Sequence, residues 1–414
     1  MIQKPKGTKD VLADESYRWQ LVETTASAVF ENFGFKEIRI PAFEYTELFE
    51  RGVGDTTDVV QKEMYTFEDK AGRSITLRPE GTAGIVRAYI ENGISSKPSP
   101  YKVWYQMPMY RYENVQKGRY REFNQIGCEI IGTASYLADV EAINAAYTFL
   151  KNIDINDVQL TINSIGCPTC RKEYQKALKE FIGNNIEQYC DTCKSRFEKN
   201  PMRILDCKEE SCKKLNEGAP LILDYLCDDC REHFENVKKM LSSLNINYTV
   251  DSSIVRGLDY YTKTVFEFIS EKDGYTVLAG GRYDGLVKEL GGQDTPAVGF
   301  AAGEERLLSL ISDSQPDDFK TELYIATMSR EQMSKALELA SGLRKYLVVE
   351  TDICERSFNA QLKYANKIGA ENLLVLGEEE VTTNTAKIKN MVTGDEIAIE
   401  LTENAIYDAI IDFE

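Results

Sequence analysis

The sequence predicts an α+β chain: an antiparallel-sheet domain interrupted by a helical, cysteine-rich insertion, then a C-terminal α/β domain with a mostly parallel sheet. Three observations predict it. Short strand-like runs separated by turn residues fill 75–135 and return from 261 onward, as antiparallel pairing requires. Between them, residues 165–245 become charged and helical in period and hold eight of the ten cysteines. After a polar break at 312–318, short apolar strands alternate with helical stretches, the pattern of parallel strands joined by crossovers. The domain limits that follow are 1–321, with the insertion at 165–250, and 322–414.

At the N-terminus, Trp19, Leu21, Val22, Ala26, Val29 and Phe30 recur at helical intervals over 16–35, with Ser16 as candidate cap and Gly34 as stop. Glu37-Ile38-Arg39-Ile40 alternates like a strand and ends at Pro41, which has no N–H for a central ladder, so this is an edge. ITLRP, KVWYQMPMYRYE and FNQIGCEIIG supply further strands, with a helix at 82–91 after Gly81. YTKTVFEF at 261–268 and residues 275–283 are strands, and AVGFAAGEERLLSLI at 297–311 is a glycine-punctuated strand running into a helix. Past the break come LYIATM, a helix at 330–345, LVVETD, a helix at 357–368 and LLVLGE.

With 67 acidic and 49 basic residues the net charge is −18, so any polyanionic partner must meet a local basic patch. The single histidine, His233, excludes His-rich metal sites and schemes built on a histidine base elsewhere in the chain. No stretch approaches the roughly 18 apolar residues of a membrane span, and the N-terminus has no apolar leader, so the chain is read as cytoplasmic with no membrane partner. In that compartment ten cysteines are expected to pack, react or hold metal rather than form disulfides.

Neither GxxxxGK[ST] nor GxGxxG occurs, so a nucleotide site must be of another type. Residues 111–121 (RYENVQKGRYR) carry Arg111, Lys117, Arg119 and Arg121 against Glu113 alone, a +3 segment inside a −18 protein. A glycine-centred basic loop between strands suits phosphate oxygens, and Tyr110, Tyr112 and Tyr120 add stacking faces. A solvated hairpin fits the same residues.

Other stretches bear on that loop. FGFKEIRIPAFE at 33–44, YRYENVQKGRYREFNQIGCE at 110–129 and AVGFAAGEERL at 297–307 resemble the three motifs of class II aminoacyl-tRNA synthetases. RGLDYY at 256–261 and GGRYDG at 280–285 resemble the signatures of the histidyl-tRNA synthetase family, and KPKGTKD, LRPEGT and RSFNAQLKYANKIGA extend the match over nearly the whole chain. The resemblance implies a class II catalytic domain, a C-terminal anticodon-binding domain and a homodimer. It also implies ATP-driven activation of L-histidine to histidyl-adenylate and transfer of histidine to tRNA(His), with Mg2+ at the pyrophosphate end and Glu122 or neighbouring carboxylates as its contacts. In that chemistry the substrate carboxylate attacks the α-phosphorus and pyrophosphate leaves, so positioning and charge stabilisation replace a protein nucleophile.

The same resemblance assigns residues. Arg111 and Arg256 would hold the α-phosphate as the catalytic pair, Arg119 and Arg121 would serve ATP, and Arg306 would stack on adenine. Glu80, Thr82 and Gln125 would meet the histidine α-amino group, Glu129 and Tyr261 the imidazole, and Tyr260 and Tyr283 the pocket wall. Taken singly, each also reads as an ion-pair partner, a core aromatic or a surface charge. The chain departs from the family pattern at Asn114, where a basic residue is usual, and at Asn124, where histidine is frequent. The 322–414 region holds 9 basic and 17 acidic residues, so tRNA binding there needs a local face such as Arg356, Lys363 and Lys367.

Cys167/Cys170, Cys190/Cys193, Cys207/Cys212 and Cys227/Cys230 form four close pairs, which fits two candidate structural zinc sites of four thiolates each, with His233 able to replace one ligand. Reduced thiols on a helical surface are the alternative. Cys128 and Cys354 sit in strand-like contexts and are expected in the core. Two other functions stay open: the synthetase-like regulatory subunit of ATP phosphoribosyltransferase, and a metal-stapled nucleic-acid-binding protein.

Overall fold

A computed structural model describes residues 2–54, 57, 59–116, 118–207, 209–254, 257–311 and 320–413. The chain divides into two compact units, Met1–Ser314 and Gln315–Glu414. The polar break expected at 312–318 lies outside the described residues.

The first unit is organised on eight strands: β1 (Lys36–Glu37), β2 (Tyr101–Tyr110), β3 (Glu122–Ile131), β4 (Val158–Ser164), β5 (Thr249–Val250), β6 (Thr262–Ser270), β7 (Thr276–Arg282) and β8 (Ala297–Gly303). Their spatial order is β1-β2-β3-β8-β7-β6-β4-β5. Only the two-residue edge strands β1 and β5 run parallel to a neighbour; the rest is antiparallel, as the short runs predicted. A smaller sheet of Phe43–Tyr45, Ser74–Leu77 and Thr66–Glu68 stands beside it.

Period-two alternation separates the faces of the large sheet. On β3, Ile126, Cys128 and Ile130 enter one core with Trp104 of β2, Phe266 and Phe300, under helices α1 (Ser16–Asn32) and α3 (Tyr136–Asn152), with α2 (Thr82–Glu91) on the other side. Phe30 anchors this layer, with ring centroids 5.3–6.4 Å from Phe35, Trp104, Phe149 and Phe300. Its complete burial contributes roughly 2–3 kcal/mol. The alternate β3 positions, Gln125, Gly127 and Glu129, face the opposite way, with Tyr105 of β2.

The N-terminal details differ from expectation. Ser16 begins α1 rather than capping it: Glu15 holds the cap position without a side-chain bond, and Ser16 Oγ donates to Ala13 O. Gly34 does end the turn, at φ 79°. The strand expected to run to Pro41 stops at Glu37 because the carbonyls of Ile40 and Pro41 accept from buried Arg78, at 2.7 and 3.0 Å, rather than from a neighbouring strand.

The insertion comprises α4 (Pro168–Gly183), α5 (Asp191–Lys199), α6 (Glu210–Leu215) and α7 (Asp228–Ser243), with a 3-10 turn at Pro201–Ile204. The short helix α8 (Glu304–Leu308) follows β8, as the glycine-punctuated pattern predicted.

In the second unit, β9 (Leu323–Thr327), β10 (Val349–Thr351) and β11 (Asn372–Leu376) are parallel, with β9 central. Helices α9 (Met333–Leu343) and α10 (Phe358–Lys367) form the crossovers. An antiparallel hairpin, β12 (Thr385–Asn390) and β13 (Glu396–Glu400), extends the sheet and was not anticipated, although Ala386, Ile388 and Asn390 alternate buried with exposed neighbours. Cys354 is a correction: β10 ends at Thr351, and the cysteine stands exposed in the turn beyond it. Cys128 is fully buried as expected.

Candidate functional site

A cavity of about 510 Å³ opens on the face of the large sheet that carries Glu129, a size that suits a small-molecule ligand. Glu129 lies at its floor, 1% exposed. One carboxylate oxygen accepts from Thr82 Oγ1 at 2.7 Å and the other from the Tyr283 hydroxyl. Burial pushes its carboxyl up to about 8, against the opposing pull of those two bonds. The neighbouring strand must be glycine here: a Cβ on Gly299 would stand 1.8 Å from Glu129 Oε2.

Glu80 is the second buried carboxylate. It sits just before α2 and accepts from the free backbone N–H groups of Thr82 and Ala83, at 2.9 and 2.7 Å, so the helix start and the side chain satisfy each other. Burial raises its pKa too, with the amide bonds opposing. The Tyr260 hydroxyl donates to it at 3.5 Å, and the Tyr260 ring lies 4.7 Å from Tyr261 and 5.6 Å from Tyr283. Tyr105, directly opposite Gly127 on β3, donates to Gln125 Oε1 at 3.2 Å. Behind Tyr283, the fully buried Arg282 donates to Asp139, Asp284 and the carbonyls of Thr133 and Ser135, fixing the strand end that carries the tyrosine.

The same cavity is lined by cations. Arg111 donates to Pro79 O at 2.7 Å, Arg119 reaches Glu113 at 3.3 Å, and Arg306 donates to Gly118 O at 3.2 Å and Thr276 O at 2.9 Å. Arg306 therefore clips the glycine at the turn of the basic loop to β7. Burial lowers its pKa first, and Arg119 and Arg111 lower it further while Glu113 opposes. Arg111 and Arg119 lie beside the same carboxylate, Glu113, at 3.7 and 3.3 Å, and their convergence with Arg306 makes a place where an anion is stabilised.

Of the residues expected at the site, Glu80, Thr82, Gln125, Glu129, Tyr260, Tyr261, Tyr283, Arg111, Arg119 and Arg306 all line this cavity. Arg121 does not: its guanidinium lies 3.8 Å over the Tyr112 ring, and its backbone N–H donates to Gly7 O. Glu122 is exposed on β3 and also stands outside the lining, whereas Glu113, Glu267 and Glu305 belong to it. Arg256 falls outside the described residues.

A family model described as histidyl-tRNA synthetase matches residues 7–307, and one described as anticodon binding domain matches 322–406. The chain belongs to the histidyl-tRNA synthetase family. It is 52% identical over 407 residues to the histidine–tRNA ligase of Acetivibrio thermocellus, with 97% of this chain and 98% of that one covered. To the ligase of Clostridium botulinum strain 657 it is 52% identical over 406 residues, with 97% of each chain covered. The apo histidyl-tRNA synthetase of S. aureus superposes at a TM-score of 0.84 and 37% identity, spanning 100% of this chain and 99% of that one. Likeness to ligases over nearly the whole length leaves the regulatory-subunit alternative the less supported.

Away from this cavity, the insertion of this histidyl-tRNA synthetase family member gathers its cysteines. The eight cysteines gather as two groups, Cys167, Cys170, Cys227 and Cys230, and Cys190, Cys193, Cys207 and Cys212, with the sulfurs of each within 4.8 Å of one another. All are free thiols. Sulfur separations of 3.5 Å (Cys167–Cys170), 4.0 Å (Cys167–Cys227) and 3.9 Å (Cys190–Cys207) bracket the roughly 3.8 Å edge of a tetrahedron with metal–sulfur bonds of about 2.3 Å. Backbone N–H groups of Cys227 and Cys190 already donate to Cys170 and Cys212 sulfurs, as partners of a thiolate would. His233 joins neither group. It packs on Tyr136 with its Nε2 3.3 Å from Asp139, so it braces α3 and not a metal.

Sequence reasoning missed Tyr105, Glu267, Glu305 and Asp206 as cavity residues. Strand alternation places Tyr105 on the same face as its pairing partner Gly127, and Glu305 adjoins Arg306, so both carried a signal. Asp206 reaches the cavity from the insertion, which no local pattern announces.

Proposed function

We propose that this chain is a cytoplasmic, homodimeric histidine–tRNA ligase that activates L-histidine with ATP and transfers it to the 3′ end of tRNA(His). One observation carries the assignment: two buried carboxylates ringed by tyrosines share a single cavity with converging arginines, so a small cationic and aromatic-sized amino acid and a polyanion would meet there. Glu129 would accept from an imidazole N–H and Tyr261 would serve the other ring nitrogen, while Glu80, Thr82 and Gln125 would surround the ammonium. A ligand lacking those groups would leave buried partners unsatisfied, which is the physical basis of discrimination.

The histidine carboxylate then faces the arginines. One of its oxygens forms a bond to the α-phosphorus of ATP as the bond to the β-phosphate bridging oxygen breaks, and pyrophosphate carries the electron pair away. Arg111 would neutralise charge developing on the α-phosphate, with Arg256 supplying the second cation by family resemblance. Arg119 would hold the outer phosphates, and the Arg306 plane would stack on adenine. Arg121, turned onto Tyr112, would act on ATP only by holding the loop. Mg2+ would supply further charge at the pyrophosphate end, with Glu113, Glu267 and Glu305 as the nearer carboxylates.

The anticodon-binding unit would meet tRNA through Lys363 and Lys367, exposed one helical turn apart on α10, while Arg356 is engaged with Asp352 at 2.7 Å. Each cysteine group fits a structural zinc ion, which would cross-link the insertion without entering the chemistry. Among the described residues, no helix is long and apolar enough to cross a membrane.

Histidine-dependent exchange of labelled pyrophosphate into ATP tests the assignment. Exchange should appear with histidine alone among the amino acids and vanish in Arg256→Ala; folded, pure protein without exchange would refute it. Light scattering on the purified chain reads the dimer.

A further inference from the structure

The inner cysteine group brackets the turn that touches the signature segment 257–261. Between Cys193 and Cys207 lie the end of α5 and the turn Pro201–Ile204, and from that turn Arg203 enters the first unit's core at 6% exposure. Its Nε donates to Asp259 Oδ1 at 3.2 Å, and a second guanidinium nitrogen donates to the Gly257 carbonyl. Asn200 Nδ2 donates to the same Asp259 oxygen at 3.0 Å. On its other side Asp259 donates its backbone N–H to Val53 O. The turn is held from below: Asn216 Nδ2 and the Cys207 N–H both donate to Ile204 O, and Arg196 donates to the Arg203 carbonyl. The next residue but one along the chain from Ile204, Asp206, lines the cavity beside Gly257.

We infer that the inner four-cysteine centre, loaded with metal, positions the histidine pocket through Arg203. Resting on the ligase and zinc readings above, the inference adds a path from one metal centre to the chemistry. A metal bound to Cys190, Cys193, Cys207 and Cys212 ties both ends of the 194–206 loop together. That fixes the turn, and the turn presents a guanidinium whose planar fork grips a carboxylate and a carbonyl of one short segment at once. Tyr260 and Tyr261 follow directly on Asp259, so the grip sets how far they project into the cavity. Arg203 touches no substrate; it is a positioning residue, and the metal is its support.

The test uses the purified full chain. Exchange kinetics are measured for wild type, Arg203→Ala, Arg203→Lys, Asp259→Asn and the Arg203→Ala/Asp259→Asn double variant, alongside metal content by elemental mass spectrometry. Arg203→Ala should raise the KM for histidine roughly tenfold and lower kcat, leave the KM for ATP within about twofold, and keep metal at the wild-type level. A loss of folded protein alone would lower kcat and leave both KM values in place. Arg203→Lys keeps the charge but not the fork and should fall between. Asp259→Asn should reproduce the histidine defect, and the double variant should add less than about twofold to it, since the two act as one unit. Cys212→Ser should lose one of two metal equivalents and raise the histidine KM in the same direction. An unchanged histidine KM in Arg203→Ala and Arg203→Lys, or additive effects of Arg203 and Asp259, overturns the inference while leaving the ligase assignment standing. Wild-type protein that exchanges normally without metal overturns the metal link, and protein without any exchange overturns both readings.

Discussion

Replacing Glu129 by Gln should make the protein more stable and less active. The carboxyl is almost fully buried and titrates near 8 rather than its usual 4.5, because burial penalises the charge more than Thr82 and Tyr283 reward it. Between these values the unfolded state has already released a proton that the folded state still binds, so native stability falls as pH rises through the window from 4.5 to about 8. At 1.36 kcal/mol for each tenfold change in proton affinity, the cost is about 3 kcal/mol at pH 7 and near zero below pH 4.5. Glutamine keeps the volume and offers an oxygen to Thr82, so this cost disappears. Glutamine cannot release the proton that a bound histidine would displace from Glu129, so the charge-assisted bond that the resulting carboxylate would make to the imidazole is lost, about 1.5–3 kcal/mol or a 10- to 150-fold fall in kcat/KM for histidine. Thermal unfolding of both proteins at pH 5 and pH 8, beside pyrophosphate exchange at varied histidine, measures the two effects. A stability gain of equal size at both pH values would refute the electrostatic reasoning, and an unchanged kcat/KM would refute the assignment of Glu129 to the imidazole.

Other expectations concern packing, the nucleotide and the metal. Gly299→Ala places a methyl group 1.8 Å from Glu129 Oε2 and 2.5 Å from Cys128 O; it should cost roughly 1–3 kcal/mol in urea unfolding and most of the histidine-dependent exchange. Arg306→Ala removes donors from Gly118 O and Thr276 O and frees the basic loop, so the KM for ATP should rise on the order of tenfold with that for histidine little changed. Elemental analysis should find about two zinc ions per chain, released in step with eight thiols on titration with a mercurial, and the stripped protein should unfold at a lower temperature.

The antiparallel sheet, α2 and the run from β8 into α8 were legible because alternation and glycine placement are local signals that tertiary contacts left intact. Ser16 failed as a cap because the chain before it folds into a turn that uses its hydroxyl elsewhere. The strand through Ile40 failed because a side chain 38 residues away, Arg78, takes its carbonyl. Hairpin β12–β13 escaped notice because lysines and glutamates dilute its alternation. Within the site, the resemblance supplied ten residues that share one cavity, while composition alone supplied only the basic loop. Cysteine spacing announced four pairs and left open which of them share a group, since that depends on how the insertion's helices return. Arg203 was invisible for a similar reason: its partners lie 54 and 56 residues away, across the boundary of the insertion.

The two cysteine groups are nested, one lying wholly within the chain loop closed by the other. As the chain is synthesised, the first four of these thiols to emerge are Cys167, Cys170, Cys190 and Cys193, a set that the fold never uses together. From Cys170, in its first turn, helix α4 runs on for about 20 Å to Gly183, and the seven residues from there to Cys190 include the turn Ile186–Gln188 rather than running straight back. On the zinc reading, a formed α4 would act as a spacer, keeping one ion from collecting the wrong four ligands until Cys207 and Cys212 arrive. Metal closing the 22-residue span of the inner group would effectively shorten the 57-residue separation of Cys170 and Cys227, easing closure of the outer group by about 0.4 kcal/mol. On the zinc reading the order of the cysteines along the chain would work as an assembly schedule, inner centre first.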